Sequence, residues 1–215
     1  MESELPKLSE VGIRVLGSLI EKSRTTPEYY PMTVNAITTA CNQKTSRYPV
    51  VEYEENEVME ALQHLKALSL VATAVGGTRR TTKYKHNFTT VYPVSAPELA
   101  IMCLLFLRGA QTPGELNTNS ARLHTFISLQ EVIESLHHLM HLESPFVKEL
   151  PRKPGQKEPR YSHLFAINSP EEILSVPEDE PAGSLIFRIS SLEKEVAELR
   201  ATLDSVLKKV LEQNK

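Results

Sequence analysis

Apolar side chains recur at intervals of three and four residues along the segment 8–23, which predicts an amphipathic helix. The segment 95–109 is apolar almost all round, so we predict a helix at the centre of its own unit. A shorter helix is predicted after each of them, from Thr33 and near Thr112. Serines that can cap the two long helices stand at their beginnings, at Ser9 and Ser95.

One nine-residue pattern occurs twice, as EVMEALQHL at 57–65 and as EVIESLHHL at 131–139, with six of the nine positions identical. Each copy predicts a third helix, and each is followed by a strand, a basic turn and a second strand. Both second strands begin with a basic residue and the motif Y-x-H-x-F, at 83–88 and 160–165. The order helix, helix, helix, strand, strand therefore recurs, which predicts a duplicated winged-helix unit.

These patterns predict a mainly α fold with small β-hairpins, of the α+β class, in four parts. A first winged-helix domain spans 1–94 and a second spans 95–168. An acidic linker that contains prolines spans 169–184, and a C-terminal helix spans 185–215.

The C-terminal segment has apolar residues that alternate spacings of four and three, which is typical of a coiled-coil seam of about four heptads. β-Branched residues at the a positions and leucine at most d positions favour two parallel strands, so we expect a homodimer. A helix that packs back on its own domain is the alternative. The predicted dimerisation residues are Leu185, Ile189, Leu192, Val196, Leu199, Leu203, Val206 and Val210.

Charge and composition restrict the class of protein. The net charge is −3, and the acidic excess lies in residues 169–215, with 6 Lys+Arg against 10 Asp+Glu. Cys41 and Cys103 are far apart in the sequence, which indicates no disulfide framework and fits a reducing cytosol. The first residues lack the pattern of a signal peptide, and the longest apolar run, 99–107, is too short to cross a bilayer. We therefore expect a cytoplasmic protein that does not enter the membrane.

The sequence contains no pattern typical of a catalytic site. The only aspartates, Asp179 and Asp204, lie in the tail, and the eight glycines form no phosphate-binding loop. His137 and His141 have the i, i+4 spacing that can share a metal, but a solvated helix face explains this pattern better. The histidine of each Y-x-H-x-F motif is expected to be structural. We therefore predict no enzymatic activity, no cofactor and no metal site.

Three basic elements predict contact with nucleic acid. Residues 71–97 contain no acidic side chain, and residues 41–50 mix amides, hydroxyls and basic groups that suit bonding to the DNA backbone and base edges. An ordinary solvated loop is the alternative for 41–50. The basic residues predicted to bind nucleic acid are Lys44, Arg47, Arg79, Arg80, Lys83, Lys85, Arg152, Lys153, Lys157 and Arg160. The residues predicted to contact bases or a protein partner are Asn42, Gln43 and Ser46.

The third helices are poorly suited to reading base edges in the major groove of DNA. Their outward positions include carboxylates, which repel phosphates. The predicted outward carboxylates are Glu57, Glu60, Glu131 and Glu134. The hairpins could bind DNA while these helices serve another purpose.

Three local motifs resemble the YceH-like proteins of bacteria: RVLGSLIEK at 14–22, TTPEYYPMT at 25–33 and ACNQKTSRYPV at 40–50. The resemblance covers roughly residues 1–167 and implies a tandem winged-helix fold. The family has no established activity, so the resemblance implies no catalytic residue. It directs attention to Thr25, Thr26, Pro27, Tyr30, Pro31, Asn42, Gln43, Lys44, Arg47 and Pro49.

Two functions remain open at this point. The first is a DNA-binding protein that regulates transcription, contacts phosphates through basic hairpins and dimerises through its tail. The alternative is a scaffold that binds a protein partner through its winged-helix surfaces and the coiled coil. Fold alone does not decide between them.

Overall fold

The structure, a computed structural model of the chain, describes residues 5–74, 81–152 and 158–167. Helices and short antiparallel strands make up these residues, which gives a mixed α/β fold. The helices are α1 (Glu10–Thr25), α2 (Val34–Cys41), α3 (Glu55–Ala67), α4 (Phe88–Val91), α5 (Ala96–Arg108), α6 (Pro113–Asn119) and α7 (Leu129–Met140), and a 3-10 turn lies at Pro27–Tyr29. The strands are β1 (Val71–Ala74), β2 (Lys83–His86), β3 (Val147–Glu149) and β4 (Tyr161–His163). Within the described ranges, no helix has the length and apolar character needed to span a membrane.

Side-chain caps set where the helices begin. Ser9 and Thr33 each accept a hydrogen bond from a backbone N–H in the first turn of the following helix. α5 begins with a capping box formed by Ser95 and Glu98, and α6 begins with a capping box at Thr112. Such caps satisfy backbone N–H groups that have no partner inside the helix. The starts predicted for these four helices are confirmed.

The two hairpins have the same register. Val71 of β1 pairs with His86 of β2, and Val147 of β3 pairs with His163 of β4. In each hairpin, therefore, the histidine of the Y-x-H-x-F motif faces the first residue of the preceding strand.

A single residue before the second helix of each half extends each hairpin. Met32 pairs with Tyr84, and Gln111 pairs with Tyr161, each through two backbone hydrogen bonds. Both pairs use the tyrosine of the repeated motif. The chain between the first two helices is thereby joined to the hairpin in the same way in both halves.

The repeated nonamers occupy the same place in corresponding helices, because each begins at the third residue of α3 or α7. Their shared apolar side chains are buried in both halves. These side chains are Val58, Leu62 and Leu65 in α3 and Val132, Leu136 and Leu139 in α7. The repeat in the sequence is therefore a repeat in the structure.

The second strand of the first half is shorter than the sequence predicts. The sequence predicts that the whole motif, up to Phe88, lies in this strand, whereas β2 ends at His86 and α4 begins at Phe88. Phe88 is fully buried, with its ring centroid 5.9 Å from that of Phe106 and 5.8 Å from that of Phe165. The strand ends here because Phe88 packs into this aromatic cluster. The alternation of apolar and polar residues along the sequence does not reveal where the strand ends.

α1 and α5 form the main helix contact between the two halves. Gly17 allows the close approach, since a Cβ at this position would lie 2.9 Å from the Cβ of Phe106 and 3.0 Å from the side chain of Leu107. The thiol of Cys103 donates to the carbonyl of Gly17 at 3.5 Å. Gly17 and Cys103 each follow the capping serine of their helix by eight residues, so equivalent positions of the two halves meet. Such a contact is typical of elements related by two-fold symmetry.

The two halves share one hydrophobic core. The backbone N–H of Leu8 donates to the carbonyl of Phe165 at 2.7 Å, which joins the beginning of the first half to the end of the second. All described residues fall in one compact unit, and the boundary predicted between 94 and 95 lies inside it. The predicted linker at 169–184, the C-terminal helix at 185–215 and its dimerisation residues lie outside the described residues.

Candidate nucleic-acid interface

The outer face of the first hairpin carries two lysines. Exposed Lys83 and Lys85 alternate along β2 with half-buried Tyr84 and His86. Their cross-strand partners on β1 are Ala74 and Ala72. The small alanine side chains leave both ammonium groups uncovered, and this part of the chain contains no carboxylate.

The inner face of the same hairpin is tied to the helices of the first half. The backbone N–H of His86 donates to the Tyr30 hydroxyl at 2.6 Å, and His86 Nε2 lies 3.2 Å from the Ser23 hydroxyl. Burial lowers the pKa of His86 to about 4, so the ring is neutral at pH 7. The positive charge of this hairpin therefore comes from its lysines and not from this histidine.

Arg47, one of the predicted phosphate contacts, lies in the interior. Its guanidinium forms two hydrogen bonds with the Glu21 carboxylate, at 3.0 and 2.6 Å, and donates to the carbonyls of Ala40 and Ser46. Burial alone would raise the pKa of Glu21, but the bonds and charge of Arg47 outweigh it and hold that pKa below its ordinary value. The structure thus gives Arg47 an internal position in place of the surface contact that the sequence predicts.

The two amides predicted to contact bases are also engaged within the protein. Asn42 donates from Nδ2 to the carbonyl of Tyr53 at 2.8 Å, and its Oδ1 accepts from the N–H of Tyr53 at 2.9 Å. Gln43 Oε1 accepts from Lys22 and from Arg47, each at 3.2 Å. These hydrogen bonds connect distant parts of the loop between α2 and α3 to each other and to Lys22 of α1.

Arg14 completes this arrangement, and sequence reasoning missed it. The side chain is buried and donates to the carbonyls of Cys41 and Pro49, at 3.2 and 2.6 Å. Burial lowers the pKa of Arg14, although an arginine remains charged. Arg14, Ser18 and Glu21 follow helical spacing, so a polar face on α1 was visible in the sequence, but the loop that covers it was not.

Other side chains of the loop between α2 and α3 face solvent. Lys44 and Ser46 are exposed, and Ser46 has a positive φ of 61°. Tyr48 and Val50 are 60% and 57% exposed. The loop is held from inside by charged and amide groups and presents a lysine, a hydroxyl and two large apolar side chains outward.

The second hairpin is more enclosed than the first. Every residue of β4 is buried, and the exposed positions seen on β2 have no counterpart there. Arg160 donates to the carbonyl of Ala110 and to the carboxylate of Glu115, both at 2.7 Å. Arg152 is exposed. Four predicted contacts, Arg79, Arg80, Lys153 and Lys157, lie outside the described residues.

The first acidic residue of each nonamer accepts a backbone hydrogen bond from a residue just before its helix. Glu57 accepts from the backbone N–H of Glu54 at 2.8 Å, and Glu131 accepts from the backbone N–H of Ile127 at 2.7 Å. The second acidic residue of each nonamer, Glu60 or Glu134, is exposed. The predicted outward carboxylates are therefore present on both third helices, and Glu57 and Glu131 also bind the backbone that leads into their helices.

The histidine pattern of α7 serves contacts within the protein. His138 is hydrogen-bonded to buried Glu98, which also caps α5, and His141 Nδ1 lies 2.7 Å from the carbonyl of His137. Burial would raise the pKa of Glu98, but its bonds from Ser95 and then from His138 hold it below the ordinary value. Within 5–74, 81–152 and 158–167, no group of three His, Cys, Asp or Glu side chains is arranged to hold a metal.

The corresponding place in the first half is open. Gly12 stands where α5 has Glu98, and His64 stands where α7 has His138. A cleft of about 300 Å³ lies there, lined by Ser9, Val11, Glu57, Glu60, Ala61 and His64. The two halves thus have the same order of helices and strands. In the second half the His138–Glu98 hydrogen bond links the third helix to the first, and in the first half a cleft lies at this place.

Comparison with known proteins agrees with the three sequence motifs. The profile of the family described as "Protein of unknown function, DUF480" matches residues 8–156, more than half of the chain. This chain belongs to the DUF480 family. The matched region begins just before α1 and ends beyond β3, so the DUF480 region includes the lysines of β2 and the loop between α2 and α3.

Curated relatives extend the similarity over almost the whole chain. The "UPF0502 protein YceH" of Salmonella typhi and that of Salmonella typhimurium are each 44% identical over 207 residues, covering 94% of this chain and 96% of the relative. The predicted membership in a YceH-like bacterial family is confirmed. The DUF480 fold of this chain is therefore expected to be shared by these relatives.

Proposed function

We propose that each half of this protein is a winged-helix unit and that the protein binds duplex DNA through the lysines of its first hairpin. The order of three helices and two strands in each half supports the fold assignment, as does the single residue before each second helix that pairs with the hairpin. Transcription regulation in the bacterial cytoplasm is the setting that we propose for this binding.

The observation that carries the proposal is the exposed face of β2. Lys83 and Lys85 project from one side of a two-stranded sheet whose other residues on that side are alanines. Residues 71–97 contain no carboxylate that could compete with a phosphate for these ammonium groups. Exposed cations on one face of a hairpin suit the backbone of a duplex, where binding releases condensed counterions.

The proposal describes a binding protein and not an enzyme. Both cysteines are buried, and burial raises the pKa of Cys41 to about 11, so this thiol is not a nucleophile at neutral pH. Burial lowers the pKa of half-buried His86 and of buried His163. Each ring packs against an aromatic side chain, Tyr30 for His86 and Phe106 for His163.

Neutralising the two lysines tests the proposal. We expect Lys83→Gln/Lys85→Gln to weaken binding to a labelled duplex and to reduce the slope of log K against log salt by about two, because each phosphate contact contributes roughly 0.9. Fluorescence anisotropy titrations at several salt concentrations measure both quantities. Arg122→Glu is the matched control, since it makes the same change in net charge at an exposed position in the loop before α7.

Two results would contradict this proposal. One is a wild-type protein that binds no duplex even at low salt. The other is a double lysine variant with the affinity and salt slope of the Arg122→Glu control.

A second candidate function has its own support in the loop between α2 and α3. Tyr48 and Val50 are exposed on a loop that Arg14 and Arg47 hold from inside, and rigid aromatic anchors are typical of protein interfaces. If a protein partner is the main ligand, wild type retains one stoichiometric partner after nuclease treatment and Tyr48→Asp loses it. Retention of nucleic acid alone would exclude this function in favour of the first.

We further propose that the chain dimerises through its C-terminal heptads. The support is the apolar seam from Leu185 to Val210 in the sequence. Sedimentation equilibrium is expected to give a dimer for the wild type and a monomer for Leu192→Lys/Leu199→Lys. A monomeric wild type would exclude the coiled coil.

A further inference from the structure

We propose that Tyr29 stacks on an unpaired base, so that the protein binds a duplex with a single-stranded extension more tightly than a blunt duplex. This inference rests on the proposed function, in which the lysines of β2 hold the phosphate backbone. Bases inside a duplex have no free face, whereas an unpaired base can stack on an aromatic side chain whatever its identity. The segment TTPEYYPMT at 25–33, one of the three motifs that resemble the family, contains this tyrosine.

The chain before α2 runs along β2. Met32 pairs with Tyr84 in the antiparallel direction through two backbone hydrogen bonds, at 3.0 and 2.7 Å. Followed backwards from Met32, the chain therefore runs towards the end of β2, where the Tyr30 hydroxyl accepts from the backbone N–H of His86 at 2.6 Å. Tyr29 directly precedes Tyr30, so one peptide unit separates it from this contact with the strand that carries the two lysines.

The two tyrosines of this turn have opposite surroundings. Tyr30 is half-buried and is tied to β2 by its hydroxyl, whereas Tyr29 is 74% exposed. The backbone here forms a 3-10 turn, in which the N–H of Tyr29 donates to the carbonyl of Thr26 at 3.1 Å and that of Tyr30 donates to the carbonyl of Pro27 at 3.2 Å. An exposed ring on a hydrogen-bonded turn offers a flat apolar face and loses little conformational freedom when a base stacks on it.

Basic side chains lie on both elements that hold this turn. Arg24 is exposed in the last turn of α1, and Lys85 is exposed on β2. Burial and, after it, the charge of Arg24 lower the pKa of His86, so Arg24 lies near the end of β2. Proteins that bind single strands combine cations for the phosphates with aromatic side chains for the bases. Glu28, which is exposed beside Tyr29, disfavours a phosphate at the turn itself, so a base suits this position better than the backbone does.

The test uses three labelled DNA probes with the full chain. They are a blunt duplex, the same duplex with a short single-stranded run of thymidines, and the same duplex with an abasic run of equal length. The last two carry the same number of phosphates, so a difference between them reports contact with bases. Anisotropy titrations are expected to give a Kd about tenfold lower for the thymidine extension than for the abasic one, a factor typical of stacking one base on an aromatic side chain.

Substitutions at Tyr29 locate the effect. Tyr29→Ala is expected to lose the preference for the thymidine extension and to keep the salt slope of the wild type, because that slope reports phosphate contacts. Tyr29→Phe should keep the preference, since the ring remains. Ile127→Ala is the matched control, because it truncates another large apolar side chain, 94% exposed, in the loop before α7.

The outcomes separate this inference from the proposed function. A preference that disappears in Tyr29→Ala and persists in Tyr29→Phe supports both. Equal Kd values for the thymidine and abasic extensions, or a preference that Tyr29→Ala retains, overturn the inference and leave the proposed function intact. If Tyr29→Ala instead loses only a nuclease-resistant protein partner, the turn is a protein contact and the inference is wrong. Absence of binding to every probe at low salt overturns the proposed function and the inference with it.

Discussion

Arg47 and Glu21 form a partly buried ion pair whose two members depend on each other. The guanidinium is fully covered, and the carboxylate beside it is largely covered. Removing one partner of such a pair leaves the other charge without compensation in a poorly solvated place. We expect Arg47→Ala to lower the free energy of unfolding by about 3 kcal/mol, measured by urea denaturation.

Lys44 provides the control for this prediction. It lies in the same loop but is exposed, so Lys44→Ala should change the free energy of unfolding by less than about 0.5 kcal/mol. Equal effects of the two substitutions would show that the pair does not stabilise the loop.

Two histidines with a lowered pKa make the free energy of unfolding depend on pH. Burial lowers the pKa of His163 and of His86 to about 4 from the ordinary 6.5. Between these values the unfolded chain binds protons that the native protein excludes, so the free energy of unfolding falls as the pH falls from 6.5 towards 4. Above pH 6.5 these groups cause no further change. The pKa of Glu98 is lowered too, and its contribution is lost only at lower pH, as the carboxylate becomes protonated.

His163→Phe tests this pH dependence. The variant should lose the share of the dependence between pH 6.5 and 4 that belongs to His163, which is on the order of 3 kcal/mol at its full extent. Urea denaturation at a series of pH values measures it, with exposed His64→Phe as the control. An unchanged dependence in His163→Phe would show that the pKa of this histidine is the same in the native and unfolded states.

At the scale of residues, the sequence predicted apolar burial better than polar roles. The outward positions predicted for the nonamers leave their apolar residues for the core, and Val58 and Val132 are indeed buried. The same reasoning assigned Arg47 to the surface. Whether a cation meets water or a carboxylate depends on how a loop folds over a distant helix, and local sequence does not contain that information.

At the scale of elements, the approach of α1 to α5 depends on the missing side chain of Gly17. Alanine in place of glycine normally stabilises a helix by about 1 kcal/mol. At Gly17 the added Cβ would meet Phe106 at 2.9 Å, so we expect Gly17→Ala to destabilise the protein by about 1–3 kcal/mol through overpacking. Thermal or urea denaturation measures the change.

Gly114 offers the opposite case in α6. The nearest atoms to an added Cβ lie at 3.9 Å, so Gly114→Ala should follow helix propensity and stabilise the protein by up to about 1 kcal/mol. If both substitutions stabilise, the helices have room to separate and the contact is looser than the distances indicate.

Most elements could be predicted from the sequence, since their caps and periodicity are local properties. The helix beginnings after Ser95 and Thr112 are examples. The end of β2 could not be predicted, because it depends on the place of Phe88 in a cluster that also includes Phe165 from the other half. Contacts between distant parts of the chain decide such boundaries.

At the scale of the whole molecule, the shared core predicts that the two halves unfold together. α1 and α5 bury each other, and Leu8 is hydrogen-bonded to Phe165, so opening one half exposes apolar surface of the other. Native-state hydrogen exchange should give the same free energy of opening for the slowest amides of α1 and α7. A lower value in either helix would mean that the halves are separate cooperative units.

The contact at Gly17 also bears on the origin of the chain. A single copy on its own would expose the apolar helix face that the other copy now covers, so we expect a one-copy ancestor to have paired with an identical molecule. Under this hypothesis, duplication within the gene joined two copies whose helix faces already fitted each other. Once joined, the copies were free to diverge, and the lysines of β2 and the enclosed strand β4 are two products of that freedom.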